Sequence, residues 1–259
     1  MLPAAIVSVA LLAVLNAALH FIPFEFPSYA LYAGLMGAAI GVLLCFPRSC
    51  RKAGVFMLTA GLCVAVTGLI WPCHVSRASS HTAIDEFLPE YHFREFHSAT
   101  IPGGTDLAMR AIQATTFGDL QVYRVLMSIR QIAGGHKPNP QANDRPILAT
   151  MAGPRGPFSP LAERDRELVF GALMKPSGGI RRIPADQFAA FHEPGWVKVA
   201  WNIRVVEDAA GVRVSTETRI LATDDASARQ FSRYWHAVYP GTAIIRRMWL
   251  RAIAERAHA

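Results

Sequence analysis

Charged residues are almost absent from the first 72 residues of this 259-residue chain. The exceptions are Glu25, Arg48, Arg51 and Lys52. They separate three apolar blocks, residues 3–24, 29–46 and 53–71. A bilayer core about 30 Å thick requires about 20 apolar helical residues, and a soluble helix normally keeps one polar face toward water. The shortage of charge therefore excludes an ordinary soluble segment and predicts a three-helix transmembrane anchor over residues 1–72.

Basic residues are also absent from the first of the two predicted loops. Arg48, Arg51 and Lys52 all lie in the second loop, and basic loops tend to stay in the cytoplasm. The sequence therefore predicts a multi-pass protein of the cell membrane whose C-terminal domain is extracytoplasmic. The first block lacks a basic start and a small-residue cleavage site, so we interpret it as a retained helix rather than a signal peptide. A GxxxG motif, Gly37–Gly41, favours packing within the anchor and leaves self-association through these helices open.

Cysteine and the common catalytic motifs are missing from the rest of the chain. All four cysteines lie at or before Cys73, so no disulfide is possible within the C-terminal part. There is no nucleophile elbow, P-loop, dinucleotide fingerprint or zinc-protease motif. Histidines between residues 74 and 97 are irregularly spaced, which favours a surface linker over residues 73–92 rather than a metal site. We predict no catalytic residue, no metal and no cofactor.

Strong charge of one sign is lacking after residue 72, where 23 Lys and Arg face 18 Asp and Glu. The small positive excess suits an anionic membrane surface. No basic run with interleaved aromatic residues occurs, so nucleic acid is not a predicted partner. Arginines become frequent near the C-terminus, and we interpret them as a solvated helix face. They are Arg229, Arg233, Arg246, Arg247, Arg251 and Arg256.

An alternating pattern is the clearest structural signal in this part. Apolar residues occupy every second position of 197–205, and the alternation resumes over 212–220 after a turn at 207–211. This pattern predicts an antiparallel hairpin with one apolar and one polar face. On the polar face, Glu217 is expected to form a solvated ion pair with neighbouring arginines, namely Arg204, Arg213 and Arg219.

A long amphipathic helix is predicted after the hairpin. Asp224 and Asp225 can cap it, and apolar residues then recur at helical spacing as far as Ile253. Pro240–Gly241 predicts a kink or break within it. Upstream segments predict further elements: a strand over 95–101, a helix over 105–113 that Thr105 caps, a second short helix from Asp119, a strand over 167–174 and a short helix over 184–191.

The order of strand, two short helices, strands, hairpin and long C-terminal helix resembles the helix-grip fold of the START-like superfamily, which includes polyketide cyclases and lipid-transfer proteins. The segments that carry the resemblance are 188–202, 215–219, Thr223–Asp224, 231–235, Pro240–Gly241 and 245–247. It covers residues 93–259. It implies an α+β domain in which a curved antiparallel sheet surrounds the long helix and leaves an apolar cavity.

This resemblance implies binding or transfer of a hydrophobic small molecule or lipid at a bilayer. The cavity candidates are Val199, Trp201, Ile203, Val214, Thr216, Thr218, Phe231, Trp235 and Met248. The same residues can instead fill a solid core. A cyclase-like or hydrolytic enzyme is the first alternative, with His192, Glu193 or Glu217 as acid or base. A non-catalytic structural or interaction module is the second.

Overall fold

The computed structural model describes residues 26–78, 82–101, 103–120, 144–209 and 211–258. The chain divides into two compact units. The first contains Met1–Cys73 and Arg229–Ala243, and the second contains His74–Ala228 and Ile244–Ala259. The first predicted membrane block, residues 3–24, lies outside the described residues, and so does most of the short helix predicted from Asp119.

Six α-helices and eight strands are formed by the described residues. The helices are α1 (Phe26–Cys45), α2 (Arg51–Leu69), α3 (Thr105–Ala114), α4 (Ile147–Ala152), α5 (Ala185–Ala190) and α6 (Asp225–His258). The strands are β1 (Ser76–Arg77), β2 (Glu90–Tyr91), β3 (Phe93–Ile101), β4 (Ser159–Arg164), β5 (Glu167–Met174), β6 (Ile180–Arg181), β7 (Val197–Asp208) and β8 (Gly211–Ala222).

In the first unit, α1 and α2 are long and apolar enough to cross a membrane. They coincide with the second and third apolar blocks of the sequence. Only 39% of the most apolar 18-residue stretch of α1 is buried, and 22% of the corresponding stretch of α2. The helices therefore expose large apolar side chains such as Leu43, Phe56 and Val66, which a core helix of a soluble protein would bury.

Glycines allow α1 and α2 to pack backbone against backbone. Gly54, Gly61 and Gly68 recur every seven residues along α2 and are buried against α1. A Cβ atom at Gly61 would collide with the backbone nitrogen of Ala38, and one at Gly41 with that of Leu58. The GxxxG face of α1 thus packs within the chain, as small residues at helix contacts permit.

Residues 229–243 of α6 complete the described part of the first unit. The Tyr32 hydroxyl on α1 donates to the carbonyl oxygen of Ala237. His236 is buried and its ring lies 2.9 Å from the Ser232 hydroxyl. Burial lowers the pKa of His236 to about 4, so this histidine is neutral at physiological pH.

The second unit contains a six-stranded antiparallel sheet, which confirms the α+β class. Its strand order is β3-β8-β7-β5-β4, with β6 paired to β5. The predicted hairpin is confirmed as β7 and β8, whose register places Trp201 opposite Thr218. The first long strand, β3, pairs with the last, β8. This long-range pairing joins segments that lie more than a hundred residues apart.

One face of the sheet is covered by α5 and by residues of the predicted linker. Ile84 and Leu88 are fully buried in a cluster that includes Phe188 on α5 and Ala200 on β7. Because residues 83–88 pack on the sheet in this way, this part of the 73–92 segment contributes to the core of the second unit.

The C-terminal helix α6 is capped as the sequence predicts. Asp224 accepts hydrogen bonds from the backbone N–H and hydroxyl groups of Ser227, and one from the backbone N–H of Gly195. The helix continues without a break through Pro240, so the break predicted there does not occur. A proline removes one backbone donor, and the remaining hydrogen bonds of this 34-residue helix keep it continuous.

Candidate ligand-binding site

Two adjacent rows of side chains cross the second face of the sheet. Strand register places Glu95 opposite Thr218 and Thr218 opposite Trp201, with His97, Thr216 and Ile203 in the next row. Cross-strand partners project from the same side of a sheet. We call this surface the inner face, and its members are Glu95, His97, Trp201, Ile203, Thr216 and Thr218. All six residues are buried.

Arg246 on α6 places its guanidinium on this inner face. One terminal nitrogen donates to the Thr216 hydroxyl oxygen at 3.2 Å and the other to the Thr218 hydroxyl oxygen at 3.2 Å. The guanidinium carbon lies 5.0 Å from the Trp201 ring centroid and 5.5 Å from that of Trp249, within range of cation–π attraction. Burial lowers the pKa of Arg246, and the charge of Glu95 opposes that shift.

Arg246 has no carboxylate in contact. None of the ion pairs formed by the described residues includes it. Glu95 is the acid of the inner face, and its Oε1 lies 2.9 Å from Nε2 of His97. The carboxylate is therefore held by His97, and it affects Arg246 only through space.

The two tryptophans whose rings lie against Arg246 carry buried indole N–H groups. Trp201 is 1% exposed and Trp249 is 3% exposed, and their rings pack edge to face at 6.0 Å. Among the described residues, neither Nε1 atom finds a hydrogen-bond acceptor. Buried polar groups are nearly always paired, and an unpaired one costs about 1–3 kcal/mol. The site thus contains two buried N–H donors that have no acceptor among the described residues.

The structure places most of the predicted cavity residues on the inner face. The register puts Val199 and Val214 on the same side as the rows above, and all of these residues are buried. Met248 lies on the same part of α6 as Arg246 and is partly buried. Phe231 and Trp235 belong instead to the first unit, where their rings stack 6.3 Å apart.

Four site residues were not predicted from the sequence: Glu95, His97, Arg246 and Trp249. Arg246 is not part of a solvated basic face, because its side chain turns toward the sheet and is held by two threonines. The sequence does contain a signal that Arg246 is buried. Position 246 is three residues before Trp249 and seven before Ile253, so it falls on the buried stripe of α6.

The candidate acids and bases named from sequence lie elsewhere. His192 and Glu193 are exposed in the loop before β7. Glu217 is on the opposite face, in the wall of a cleft of about 360 Å³. The prediction of a solvated pair at Glu217 is wrong, because this carboxylate is 3% exposed and Oε1 accepts from Arg94 and Arg219, each at 2.7 Å.

The remaining arginines of that prediction have other partners. Arg204 lies 3.8 Å from Glu167, and Arg213 lies 3.7 Å from Asp208. The fully buried Arg219 also donates to Asp85 of the 83–86 segment. Glu217 is thus an ion-pair partner shared by two arginines, Arg94 and Arg219.

Comparisons with known proteins do not assign this site. No protein-family model matches the chain, and no curated protein matches it. Its function must be inferred from the geometry.

Proposed function

We propose that this protein is tethered to a membrane and binds a hydrophobic small molecule or lipid between the inner face of the sheet and α6. One observation carries the proposal: three nitrogen-donor side chains, Arg246, Trp201 and Trp249, meet in a largely buried place. Arg246 donates to two threonine hydroxyls, but among the described residues neither indole N–H has an acceptor. A ligand with an accepting oxygen would satisfy these donors.

The surroundings of these donors favour a ligand with an apolar body. Val199, Ile203 and Val214 on the inner face are each no more than 6% exposed. Apolar walls with a few fixed polar groups are typical of small-molecule sites. If these residues only filled a solid core, phenylalanine would be expected in place of the tryptophans, because an unpaired indole N–H costs free energy.

The fold is consistent with this proposal. A sheet in which the first long strand pairs with the last, together with a long C-terminal helix, supports assignment to the START-like helix-grip class. That class hosts binding, transfer and catalysis alike, so the fold alone does not select among these functions.

We extend the proposal to the membrane. The exposed apolar surface of α1 and α2 supports insertion of both helices, and residues 3–24 would supply a third span. The basic loop Arg48–Lys52 would then lie in the cytoplasm, with the second unit on the extracytoplasmic side.

Native mass spectrometry of the full chain, purified from membranes in mild detergent, tests ligand binding. We expect an apolar molecule to co-purify, or to be taken up from a lipid extract. Trp249→Phe keeps an aromatic ring, smaller than the indole, and removes the N–H donor, so it should lower ligand occupancy. Arg251→Gln is the matched control, because the Arg251 side chain on the same helix is 81% exposed. If the measured mass is that of the protein alone, and no molecule is taken up from the lipid extract, a structural module would be favoured instead.

The Glu95–His97 pair favours an enzyme as the second candidate function. A buried histidine oriented by a carboxylate is a common general base, and Arg246 could stabilise an oxyanion beside it. Incubating the lipid extract with the full chain and comparing masses before and after would detect a cyclase-like or hydrolytic reaction. Turnover that survives in His97→Asn would exclude this role for the pair.

A further inference from the structure

We infer that the ligand carries one carboxylate, which binds to Arg246 and to the indole N–H groups of Trp201 and Trp249. This inference rests on the proposed binding function and specifies its ligand class: a long-chain carboxylic acid. It depends on the hydrogen-bond donors of the site, on its charges and on the apolar side chains around the donors.

The donor count requires a ligand group with several lone pairs. A guanidinium has five N–H donors, and hydrogen bonds to Thr216 and Thr218 use only two of those of Arg246. Two further donors come from the buried indoles. A single carbonyl oxygen offers two lone pairs, whereas a carboxylate offers about four. A carboxylate also matches the planar fork of arginine.

Charge limits the head group to a single negative charge. Arg246 is partly buried and forms no ion pair with a carboxylate of the described residues, so it favours an anion. Glu95 lies on the same face, two positions from His97 on β3, and its charge would repel a doubly charged head group more than a singly charged one. A phosphate monoester carries about −1.5 to −2 at pH 7. The site is therefore better suited to a carboxylate than to a phosphate.

The apolar part of the ligand follows from the neighbours of the donors. Phe170 lies 4.5 Å from Trp201 and Phe158 lies 5.8 Å from it, measured between ring centroids. Phe170 belongs to β5, and Phe158 directly precedes β4. The site therefore combines one fixed cation with aromatic and aliphatic side chains, which is the chemistry that recognises an acid with a long apolar chain.

Three probes with the same alkyl chain test the head group: a long-chain fatty acid, the fatty alcohol and the alkyl phosphate. Each is titrated into the full chain in lipid nanodiscs, and bound probe is counted by native mass spectrometry. We expect the acid to bind about 10- to 100-fold more tightly than the alcohol, the range for a hydrogen bond to a charged group. The alkyl phosphate should bind more weakly than the acid.

Variants assign the preference to Arg246. Arg246→Gln should reduce the difference between acid and alcohol to a few-fold, and Arg246→Lys should retain part of it. Arg251→Gln should leave it unchanged. If Arg246→Gln does not fold, binding of the three probes to the wild-type protein still tests the preference for a carboxylate.

The outcomes separate the two proposals. Equal binding of acid and alcohol, or preference for the phosphate, would overturn the carboxylate and leave the binding function standing. Failure of all three probes to bind, with no co-purifying ligand, would overturn both.

Discussion

Asp224 fixes both the start of α6 and the loop before β7. Its carboxylate accepts from Ser227 on the helix and from Gly195 in the loop. Losing an N-cap typically costs about 1–2 kcal/mol, so Asp224→Ala should lower the free energy of unfolding by about this amount. Thermal denaturation of the full chain in detergent measures the change. Asp225→Ala is the control, since Asp225 is exposed and its contribution should be about 0.5 kcal/mol or less.

The pH dependence of this cap has a defined sign. Hydrogen bonds, first that from Gly195, lower the pKa of Asp224 to about 2 in the folded protein. A carboxyl whose pKa is lowered on folding stabilises the protein above its unfolded pKa of about 3.9 and loses that effect as pH falls toward 2. The difference between wild type and Asp224→Ala should therefore shrink across this interval. A constant difference would contradict the assigned role.

Lys198 is a buried cation, and we expect it to reduce stability at neutral pH. It is 3% exposed, donates to the Ala189 carbonyl oxygen and lies over the Phe188 ring. Burial lowers its pKa to about 8. Because the unfolded chain binds this proton more tightly, wild-type stability should rise by roughly 3 kcal/mol as pH increases from 8 to 10.5.

Lys198→Met should remove this pH dependence and raise stability at pH 7. The gain is reduced by the lost hydrogen bond to Ala189, about 1 kcal/mol. Lys175→Met, at an exposed lysine, is the control and should preserve the wild-type pH profile. Chemical denaturation at pH 7 and pH 10 measures both effects. A destabilised Lys198→Met protein would mean that the hydrogen bond outweighs the cost of burying the charge.

At the scale of elements, glycines determine how α1 and α2 pack. Gly61→Ala places a Cβ atom where the α1 backbone lies, so it should separate the helices and destabilise the pair by about 1–3 kcal/mol. Gly37→Ala is the matched control, because the nearest atom to its added Cβ is 3.6 Å away. Thermal unfolding in detergent compares the two. Similar melting temperatures would contradict the close packing of the backbones.

The second half of α6 holds the sheet through Trp249. Its ring packs on Trp201, and replacing a buried tryptophan with alanine costs about 3–5 kcal/mol. Trp249→Ala should therefore lower the melting temperature sharply, whereas Arg251→Ala should change stability by no more than about 0.5 kcal/mol. If Trp249→Ala melts like wild type, α6 does not pack on the inner face as described.

Local pattern predicts these elements better than it predicts the site. The β7–β8 hairpin follows from strict alternation around a turn, and α6 from its helical spacing. The pairing of β3 with β8 cannot be inferred locally, so the sequence does not place Glu95 and His97 beside Thr218 and Thr216. Arg246 was missed because arginine is usually exposed, although it lies on the buried stripe of α6.

At the scale of the whole molecule, topology can be checked with cysteines. One variant retains only Cys50, in the basic loop, and another carries only Glu193→Cys, in an exposed loop of the second unit. An impermeant maleimide added to intact cells should label Glu193→Cys, and it should label Cys50 only after permeabilisation. Labelling of both positions, or of Cys50 alone, would contradict the proposed orientation.

The central claim is that a ligand satisfies the buried indoles beside Arg246. The chain has five tryptophans, so indole N–H resonances of the full chain in nanodiscs can be assigned with single Trp→Phe variants. Adding a long-chain fatty acid should shift the signals of Trp201 and Trp249 and leave that of Trp196 unchanged. If neither Trp201 nor Trp249 responds, or if only Trp71 responds as the acid enters the bilayer, the proposed site is wrong.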